Sequence, residues 1–429
     1  MLSLDLFYPL YNDTVNESFT DLKKYNSGEL MKRTIKLAVA AAVALTSTAA
    51  FATNGDHLIG MGAKARGMGG VGIGMSHGAE TALSNPALIT TVQGTEISFG
   101  GTIFMPDVKT DMGEGSGFHD SAADLSVIPE VAIAQNVGNG ISWGIGMYGT
   151  AGMGTDYRSA SGGMANMNMV TNLQLMQFAV PVAYKTGGFS FGIAPVLQYG
   201  SLDINYNLAT VQGLNPTATG TKGVAQDFGV GYNVGAAYSE EGLTVGASYK
   251  SAIDMVYTGQ IGQAMKDFTG VAGSDHLEQP SEMGVGASYT IAGNTIAVDY
   301  KRINWASAKG YKDFAWEDQN VYMIGYQYAQ DGWALRAGYN HATSPIKDQG
   351  MAGSLTNVFN LLGFPAIVED HYTVGGSYSL TKATSVDLAY AYSPETSEKF
   401  AYSLGAPTPS YIETKHSQQA VTAQLNFAF

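Results

Sequence analysis

The sequence contains no cysteine, which excludes a disulfide framework, a thiolate metal site and a cysteine nucleophile. Charged residues are also scarce, at 14% of the chain against roughly 25% in soluble globular proteins. Acids outnumber bases by 36 to 22, which gives a net charge of −14. This balance argues against a nucleic-acid partner, because a phosphate-binding surface needs Lys and Arg to neutralise it.

Glycine and tyrosine are abundant instead. The 429 residues include 54 glycines and 25 tyrosines, and aromatic residues make up 11%. This mixture favours many short strands joined by tight turns. A chain of this length is sufficient for two soluble domains or for one large barrel.

Residues 31–52 have the pattern of a secretory signal peptide. Lys32, Arg33 and Lys36 form a positive start, an apolar core follows, and Ala50-Phe51-Ala52 is a small-x-small cleavage site. The apolar core is too short to span a bilayer. We therefore predict export of the chain, with cleavage after Ala52.

Residues 1–30 precede this signal and carry acidic side chains that do not normally stand ahead of a signal peptide: Asp5, Asp13, Glu17, Asp21 and Glu29. We interpret these residues as a non-native N-terminal extension, with translation beginning at Met31. A genuine cytoplasmic extension is the alternative.

Apolar and polar residues alternate at the C-terminus, which predicts an amphipathic last strand. Val421, Leu425 and Phe429 fall on one face, while Thr422 and Gln424 fall on the other. A last strand that ends in Phe resembles the signal read by the barrel-assembly machinery of bacterial outer membranes. An ordinary half-buried strand is the alternative. In a barrel the apolar face meets lipid, and Tyr and Trp near strand ends form girdles.

The same alternation recurs in fourteen segments. They lie at about 95–106, 125–136, 140–149, 170–185, 188–203, 223–238, 242–256, 279–291, 294–304, 319–330, 332–343, 368–380, 384–394 and 417–429. Boundaries read from such patterns carry an error of about two to four residues.

Short and long connections alternate strictly between these segments. Short turns occur at 137–139, 186–187, 239–241, 292–293, 331 and 381–383, and longer loops at 107–124, 150–169, 204–222, 257–278, 305–318, 344–367 and 395–416. Short periplasmic turns and long external loops produce this alternation. We predict that residues 93–429 form a fourteen-stranded antiparallel transmembrane β-barrel in a bacterial outer membrane, with both barrel ends periplasmic.

Residues 53–92 are rich in glycine and do not alternate. Irregular backbone cannot face lipid, because each unpaired polar group there costs several kcal/mol. Since about fourteen strands enclose a lumen too wide for side chains alone to fill, we predict that residues 53–92 are a plug, or hatch, inside the barrel.

Several motifs resemble the outer-membrane long-chain fatty-acid transporter family (FadL), which includes aromatic-hydrocarbon channels. That family opens with a Gly-rich hatch followed by a Ser/Asn-Asn-Pro-Ala signature. The matching stretches in this sequence are Gly62–Gly70, Ser84-Asn85-Pro86-Ala87, Gln279–Val285, Trp333–Tyr339, Ser344-Pro345 and Tyr372–Tyr392. The resemblance covers essentially the whole chain after the signal peptide.

The resemblance implies passive uptake of hydrophobic small molecules such as fatty acids or hydrocarbons. An apolar groove among the outer loops would capture the ligand, and a pocket in the barrel would bind it. Movement of the hatch N-terminus at Thr53 and a lateral opening at a kinked strand would then release it. The family is generally monomeric and needs no cofactor or metal.

Two loops carry candidate ligand-binding residues. The first is an apolar run that we expect to be exposed, with Phe359, Leu361, Leu362, Phe364 and Ile367. The alternative is that this loop folds inward and packs on its neighbours. The second is a set of methionines, an adaptable apolar surface, at Met153, Met164, Met167 and Met169. Loop packing and Cu(I) binding are the alternatives there.

Two further groups of residues are candidates within the barrel. Gly144, Gly146 and Gly149 weaken the third strand and mark it as the lateral-opening strand, a role that rests mostly on the resemblance. Strand alternation places Asp299, Lys301, Arg336 and Asp387 in the lumen. There, Lys301 or Arg336 would hold a carboxylate head group, or all four would form ion pairs across the lumen.

Three rival functions are open at this point. An enzyme is disfavoured, because none of the seven histidines lies in a nucleophile or metal motif: His57, His77, His119, His276, His341, His371 and His416. A general diffusion porin for polar solutes would lack a plug. A structural barrel or adhesin would take up no ligand. Besides the hydrophobic ligand, we expect outer-membrane lipid, lipopolysaccharide and the barrel-assembly machinery as partners.

Overall fold

A computed structural model describes residues 53–113, 117–159, 166–209, 220, 223–269, 272–403 and 410–429. The segments predicted as an N-terminal extension (1–30) and as a signal peptide (31–52) lie outside the described residues, as does Met164.

Fourteen long strands form the wall of the protein. They are β1 (Thr95–Asp111), β2 (Ser126–Gly138), β3 (Ile141–Asp156), β4 (Val170–Ala179 and Val182–Thr186), β5 (Phe189–Asn205), β6 (Ala225–Glu240), β7 (Leu243–Lys250), β8 (Glu282–Ile291), β9 (Asn294–Ile303), β10 (Gln319–Gln330), β11 (Trp333–Ala342), β12 (Asp370–Ser379), β13 (Thr384–Tyr402) and β14 (Ser410–Ala428).

Each strand pairs antiparallel with its neighbours along the chain, and β14 pairs with β1 to close the barrel. The closing ladder runs from Ala428↔Glu96 to Glu413↔Asp111. The prediction of a closed fourteen-stranded antiparallel barrel is confirmed.

Burial along the strands follows the predicted alternation. In β9, Ile296 and Val298 are 57% and 46% exposed on the outside, whereas Ala297 and Asp299 are 0% and 5% exposed on the inside. The outward faces are therefore apolar and the inward faces carry small or polar residues, which is the arrangement that lipid outside a barrel requires.

The two ends of the barrel differ, and we refer to them as the turn end and the loop end. At the turn end the connections are tight. Ala292-Gly293, for example, has both φ angles positive (48° and 80°), which is the two-residue turn that matches strand twist.

At the loop end several predicted boundaries are wrong, since β1 and β3 continue to Asp111 and Asp156 into the loops predicted at 107–124 and 150–169. The loop predicted at 395–416 is mostly strand, since β13 continues to Tyr402 and β14 begins at Ser410. The strand predicted at 242–256 ends at Lys250, because the chain then turns inward to bury Ile253, Met255 and Tyr257.

Residues 53–92, which we name the hatch, fill the lumen. They contain two short strands (Thr53–Asn54 and His57–Leu58), helix α1 (Gly62–Arg66) and two 3-10 helices (Gly78–Leu83 and Pro86–Thr91). These elements contact strands on opposite sides of the barrel, including β2, β5, β6 and β12–β14. The barrel therefore encloses the hatch.

Two helices lie in the connections at the loop end, α2 (Ile261–Thr269) and α3 (Ser354–Gly363). Short 3-10 helices occur at Trp305–Ser307, Tyr311–Phe314 and Met351–Gly353. Among the described residues, no helix is both long enough and apolar enough to cross a membrane.

Candidate ligand-binding site

Helix α3 folds inward over the lumen. Its residues Phe359, Leu361 and Leu362 are at most 5% exposed, and Phe364 and Ile367, which follow the helix, are also buried. The expectation that this apolar run is exposed is therefore wrong, and the alternative that the loop folds inward describes it.

Barrel side chains hold the backbone of α3 in this position. The hydroxyl of Thr155 in β3 donates to the carbonyl of Leu362 at 2.8 Å, and the hydroxyl of Thr414 in β14 donates to the carbonyl of Leu361 at 2.8 Å. Carbonyls at the end of a helix lack partners within the helix, so these bonds fix α3 across the loop end of the lumen.

A cluster of aromatic rings lies against α3. Phe314 stacks on Phe359 with ring centroids 4.6 Å apart, and Tyr311 lies 4.8 Å from Trp316. Trp305 joins the cluster at 5.0 Å from Trp316. Aromatic pairs at such distances stabilise beyond their buried area, so the 305–316 segment is a packed part of the barrel interior.

α2, α3 and this aromatic segment enclose a narrow space of about 10 Å³, which we name the apolar cavity. Its lining consists of Met153, Leu173, Ile261, Leu277, Tyr311, Phe314, Trp316, Asn360 and Phe364. The lining is apolar with few polar groups, as in small-molecule pockets, and a ligand enters only when these side chains move apart.

The polar groups of this lining are bonded within the protein. The indole nitrogen of Trp316 donates to Asn360 Oδ1 at 3.1 Å, and Asn360 Nδ2 donates to the carbonyl of Phe314 at 2.9 Å. The hydroxyl of Tyr311 donates to a carboxylate oxygen of Asp56. The lining therefore presents hydrocarbon and ring faces to the cavity.

Asp56 belongs to residues 53–58 of the hatch, which we name the N-terminal segment. This segment forms a ladder with β3, in which His57 pairs with Ala151 and the Gly152 amide donates to the Asp56 carbonyl at 3.0 Å. Thr53 lies at the start of the segment, where its amide donates to Gln418 Oε1 at 3.1 Å. The N-terminal segment thus reaches the cavity lining through the hydrogen bond between Tyr311 and Asp56.

A buried ionic cluster holds the N-terminal segment to the opposite wall. His57 Nδ1 lies 3.0 Å from Glu282 of β8, and His57 Nε2 lies 2.5 Å from Gln279 Oε1. Glu282 also pairs with Lys301 at 3.1 Å and with Lys250 at 3.5 Å. The cluster also reaches Asp56, which lies 3.6 Å from His57 Nε2 and accepts a hydrogen bond from Gln279 Nε2 at 3.3 Å.

The rest of the hatch is anchored by stronger contacts. Asp299 of β9 accepts hydrogen bonds from the backbone amides of Gly72, Ile73 and Gly74 at 2.6, 2.7 and 3.1 Å. Arg66 is fully buried and pairs with Glu130 of β2 at 2.8 Å. Charge-assisted bonds of this kind are about twice as strong as neutral ones, so this part of the hatch is firmly attached.

The barrel wall has a gap beside the N-terminal segment. The β2–β3 ladder ends at Glu130↔Tyr148, and beyond this point β4 is the only wall strand that still pairs with β3 in the described residues. The β3–β4 register shifts between Gly149 and Ala151, which is a bulge, and every residue from Tyr148 to Thr155 is buried. The outer half of β3 therefore turns inward, away from β2.

A cavity of about 390 Å³ lies at this gap. It is lined by the loop before β2 and by the ends of β3 and β4, including Leu125, Val127, Thr155 and Val170. We name the unpaired stretch between β2 and β3, together with this cavity, the lateral gap.

The structure places the predicted lateral-opening glycines in β3. Gly149 stands at the bulge, whereas Gly144 and Gly146 lie within the regular ladder with β2. A Cβ on Gly146 would lie 3.2 Å from Ala82 of the hatch, so this glycine provides room for the hatch.

The predicted lumen residues face inward but lie outside the apolar cavity. Lys301 pairs with Glu282, and Asp387 lies 3.7 Å from Lys64 of α1. Arg336 donates to Gln327 at 2.7 Å and to Ser377 at 2.6 Å. Asp299 instead accepts hydrogen bonds from hatch amides. The predicted ion pairs across the lumen therefore describe Lys301 and Asp387 but not Asp299 or Arg336.

The other predicted site residues are distributed around the hatch and the cavity. Asn85 Oδ1 caps the 3-10 helix that begins at Pro86, Ala87 is buried beside it, and Ser84 is partly buried at the end of the preceding helix. Met167 and Met169 are buried in the core, whereas Met153 lines the apolar cavity. In the described part of the chain, no cluster of three His, Asp or Glu residues has a metal-binding arrangement.

Sequence reasoning missed Asp56, Leu173, Tyr311, Trp316 and Asn360. One signal was available, because the long connection 305–318 contains four aromatic residues, which a water-exposed loop would not favour. No pattern in the sequence marks Asp56, since its partner Tyr311 is 255 residues away.

Comparison with known proteins identifies the family to which the chain belongs. The family model described as "Outer membrane protein transport protein (OMPP1/FadL/TodX)" matches residues 38–429. An uncharacterized protein of Chlorobium limicola, from the 5′ region of a phosphoenolpyruvate carboxykinase gene, is 40% identical over 84 residues. That match covers 19% of this chain and 41% of the Chlorobium protein.

Solved structures show the same fold at low sequence identity. A FadL homologue of Pseudomonas aeruginosa is 13% identical, with a TM-score of 0.67 over 87% of this chain and 100% of that one. The toluene transporter TodX of Pseudomonas putida is 19% identical, with a TM-score of 0.63 over 86% and 99%. The toluene transporter TbuX of Ralstonia pickettii is 18% identical, with a TM-score of 0.61 over 86% and 99%.

Proposed function

The chain belongs to the outer membrane protein transport family of OMPP1, FadL and TodX, and on this basis we propose that it takes up hydrophobic small molecules across the outer membrane. The observation that carries the proposal is the position of the N-terminal segment. It is bonded to Tyr311 of the cavity lining and also pairs with β3 beside the lateral gap. Movement of this single segment would connect the cavity to the gap.

The ligand route begins at the loop end. Phe359, Leu361, Leu362, Phe364 and Ile367 form an apolar roof that attracts a hydrophobic ligand, and Phe364 borders the cavity itself. Met153 and the buried Met167 and Met169 supply flexible side chains that adapt to ligand shape. Transfer of apolar surface from water into this site drives capture without any energy source.

The hatch divides into a part that moves and a part that stays. Asp299 and Arg66 hold its body to the wall, whereas a short ladder and the side chains around Asp56 and His57 hold the N-terminal segment. Local opening follows the weakest set of contacts. The N-terminal segment therefore moves, and residues 60–92 remain in place.

The lateral gap is the exit. An apolar molecule gains free energy by entering the bilayer directly and loses it by crossing water. Because the N-terminal segment is the ladder partner of β3 where β2 has separated, its departure opens the wall toward lipid. Gly149 at the bulge is the point at which β3 bends.

Orientation and processing follow from this route. The turn end and both barrel termini face the periplasm, the loop end faces the lipopolysaccharide, and residues 31–52 are removed on export. The barrel-assembly machinery inserts the protein, which works as a monomer without a cofactor and catalyses no reaction. The rival porin function requires an open aqueous passage, whereas the hatch occupies the lumen in the described residues.

An uptake experiment tests the proposal. A deletion strain should take up radiolabelled toluene or an alkane more slowly, and the full-length gene should restore the rate. Proteoliposomes with the purified protein should not swell in arabinose beyond protein-free liposomes. Rapid sugar entry would instead support a porin, and unchanged hydrocarbon uptake in the deletion strain would contradict the proposal.

A reversible crosslink tests the role of the N-terminal segment. His57 and Ala151 are ladder partners, and the Gly152–Asp56 bond makes them a non-hydrogen-bonded pair with Cα atoms about 4.5 Å apart. Because the chain has no cysteine, the double variant His57→Cys, Ala151→Cys can form a single disulfide. We expect oxidation to block uptake and reduction to restore it.

A matched pair on the outer surface is the control. Tyr322 and His341 are Cα partners in the β10–β11 ladder, and the Tyr322 side chain is exposed on the outer face. The variant Tyr322→Cys, His341→Cys should transport equally well when oxidised and reduced. Full uptake through a verified 57–151 disulfide would show that the segment does not gate the route.

A further inference from the structure

We infer that the apolar cavity selects neutral hydrophobic molecules and excludes those with a carboxylate head group. This inference rests on the proposed uptake function and narrows its substrate class. It comes from the hydrogen bonds and charges around the cavity.

Within the described residues, every lining side chain with an N–H or O–H donor already donates to the protein. The lining contains three such groups, on Trp316, Asn360 and Tyr311. They bind Asn360 Oδ1, the Phe314 carbonyl and Asp56, respectively. A carboxylate that entered would find no cation in the lining, and beyond the second N–H of Asn360 it would gain hydrogen bonds only by breaking these, which leaves the displaced groups buried without partners.

The ionisable group bonded to the lining is an acid. Tyr311 connects the lining directly to the carboxyl group of Asp56, which is fully buried. Burial raises the pKa of Asp56, and whether ionised or neutral this group supplies no positive charge to a second carboxylate placed above the Tyr311 ring. A neutral ligand experiences neither penalty.

The cations of the lumen are directed elsewhere. Lys250 and Lys301 share Glu282 and line a separate cavity between the hatch and β7–β10. Arg66 pairs with Glu130, and Arg336 is bonded to Gln327 and Ser377. Beyond the first 52 residues, the stretches outside the described part of the chain contain a single cation, Lys222.

Matched ligand pairs test the inference on the wild-type protein. In p-xylene and p-toluate the same ring carries either a methyl group or a carboxylate at one position. The assay is displacement of the neutral fluorophore N-phenyl-1-naphthylamine from the purified full-length protein in detergent. Because an unpaired buried carboxylate is strongly penalised, we expect p-toluate to bind about 100-fold more weakly than p-xylene at neutral pH.

The acid form of the same ligand provides an internal check. Lowering the pH through the pKa of the free acid neutralises p-toluate, and its affinity should then approach that of p-xylene. Equal binding of p-xylene and p-toluate at neutral pH would overturn the inference. If neither ligand displaced the fluorophore at any pH, the proposed function itself would fail.

A charge added to the lining should reverse the selectivity. Met153 and Leu173 are ladder partners in β3 and β4, and both line the cavity. Leu173→Lys or Met153→Lys should raise the affinity for p-toluate at least about tenfold, because the ammonium supplies the missing partner. Gln330→Lys adds the same charge at the exposed turn end and should leave the selectivity unchanged.

Folding of each variant is checked by the heat-dependent gel migration of the barrel. If Leu173→Lys does not fold, Met153→Lys replaces it, and the pH experiment needs no variant. A folded lysine variant that still rejects p-toluate would contradict the inference, since charge would then not be the basis of selection.

Discussion

Tyr311 donates its hydroxyl hydrogen to Asp56, so one side chain joins the wall of the apolar cavity to the N-terminal segment of the hatch. The ring of Tyr311 lines the cavity, and its hydroxyl supports the segment that pairs with β3. In the proposed function, a ligand that displaced this ring would also weaken the attachment of the segment.

Tyr311→Phe should weaken the attachment of the N-terminal segment while keeping the aromatic ring that lines the cavity. The variant keeps the ring but leaves Asp56 with one hydrogen bond fewer, a loss of about 1–3 kcal/mol for a buried group. The Gly152 amide, which donates to Asp56, should exchange with deuterium roughly ten- to a hundredfold faster. Hydrogen-exchange mass spectrometry of peptides covering residues 53–58 and 149–153 measures this change.

Tyr390→Phe is the matched control for that experiment. Its hydroxyl also donates to a side chain, Gln419, at 2.9 Å, but on the outer face of the barrel. Removing it should leave exchange of the N-terminal segment unchanged. Equal exchange rates in wild type and Tyr311→Phe would show that the Asp56 bond does not hold the segment.

Asp299 should set the attachment of the hatch body. Asp299→Ala leaves the amides of Gly72, Ile73 and Gly74 without their acceptor, whereas Asp299→Asn keeps one oxygen and loses the charge. Buried unpaired amides cost about 1–3 kcal/mol each. We therefore expect hatch stability to fall in the order wild type, Asn, Ala.

Trypsin provides the measurement, because Lys64 and Arg66 are the only basic residues of the hatch and Arg66 is buried. Cleavage after Arg66 should be slowest in wild type and fastest in Asp299→Ala. Asp331→Ala at the exposed turn end is the control and should match wild type. Indistinguishable cleavage in all four proteins would mean that other contacts hold the hatch body.

The barrel itself was predictable because lipid imposes a simple rule on it. Val298 and Asp299 must point to opposite sides, and that period of two is visible in the sequence. Strand ends at the loop end were less predictable. Above the lipid the outer face becomes polar, as at Lys399 and Glu413, so the contrast that marks β13 and β14 fades before the strands end.

The candidate site was only partly predictable for a different reason. The apolar run around Phe359 predicted a hydrophobic surface, but its sequence could not distinguish an exposed groove from an inward-folded helix. Contacts such as Tyr311–Asp56 and His57–Ala151 join positions far apart in the chain. A two-residue ladder or a single hydrogen bond has no periodicity, so only the folded barrel reveals it.

Gly74 should prove intolerant of any side chain, because hatch and wall meet there backbone to backbone. A Cβ on Gly74 would lie 2.2 Å from the carbonyl carbon of Gly286 in β8. Neither side can yield without breaking the Asp299 bonds or the β-ladder, so Gly74→Ala should destabilise the hatch by about 1–3 kcal/mol or more. Faster trypsin cleavage after Arg66 reports the change.

Gly376→Ala in β12 is the control for that substitution. The nearest atom to its added Cβ would be the Ala334 carbonyl oxygen at 3.3 Å, a contact that a small shift relieves. This variant should keep the wild-type cleavage rate. Slow cleavage in Gly74→Ala would show that the hatch has room to move away from β8.

Asp254 should make the loops above the cavity sensitive to acid. It binds His276 Nδ1 at 2.8 Å and Lys309 Nζ at 2.5 Å, and so clamps two connections whose neighbouring residues Leu277 and Tyr311 line the cavity. Partial burial acts to raise its pKa, but the hydrogen bonds from Lys309 and His276 outweigh that effect and lower the pKa below 3.8.

A carboxylate with a lowered pKa stabilises the folded loops above its unfolded value and loses that contribution as the pH falls through its folded value. Asp254→Asn should therefore speed hydrogen exchange of the Leu277 amide at neutral pH. The loss of loop stability should not exceed about 1 kcal/mol, because Asp254 and its partners His276 and Lys309 are partly exposed. The difference from wild type should shrink as the pH falls below about 3.8 and vanish only below the lowered pKa of folded Asp254, where both proteins carry an uncharged group. A difference that persisted unchanged in acid would mean that the charge of Asp254 contributes nothing to the clamp.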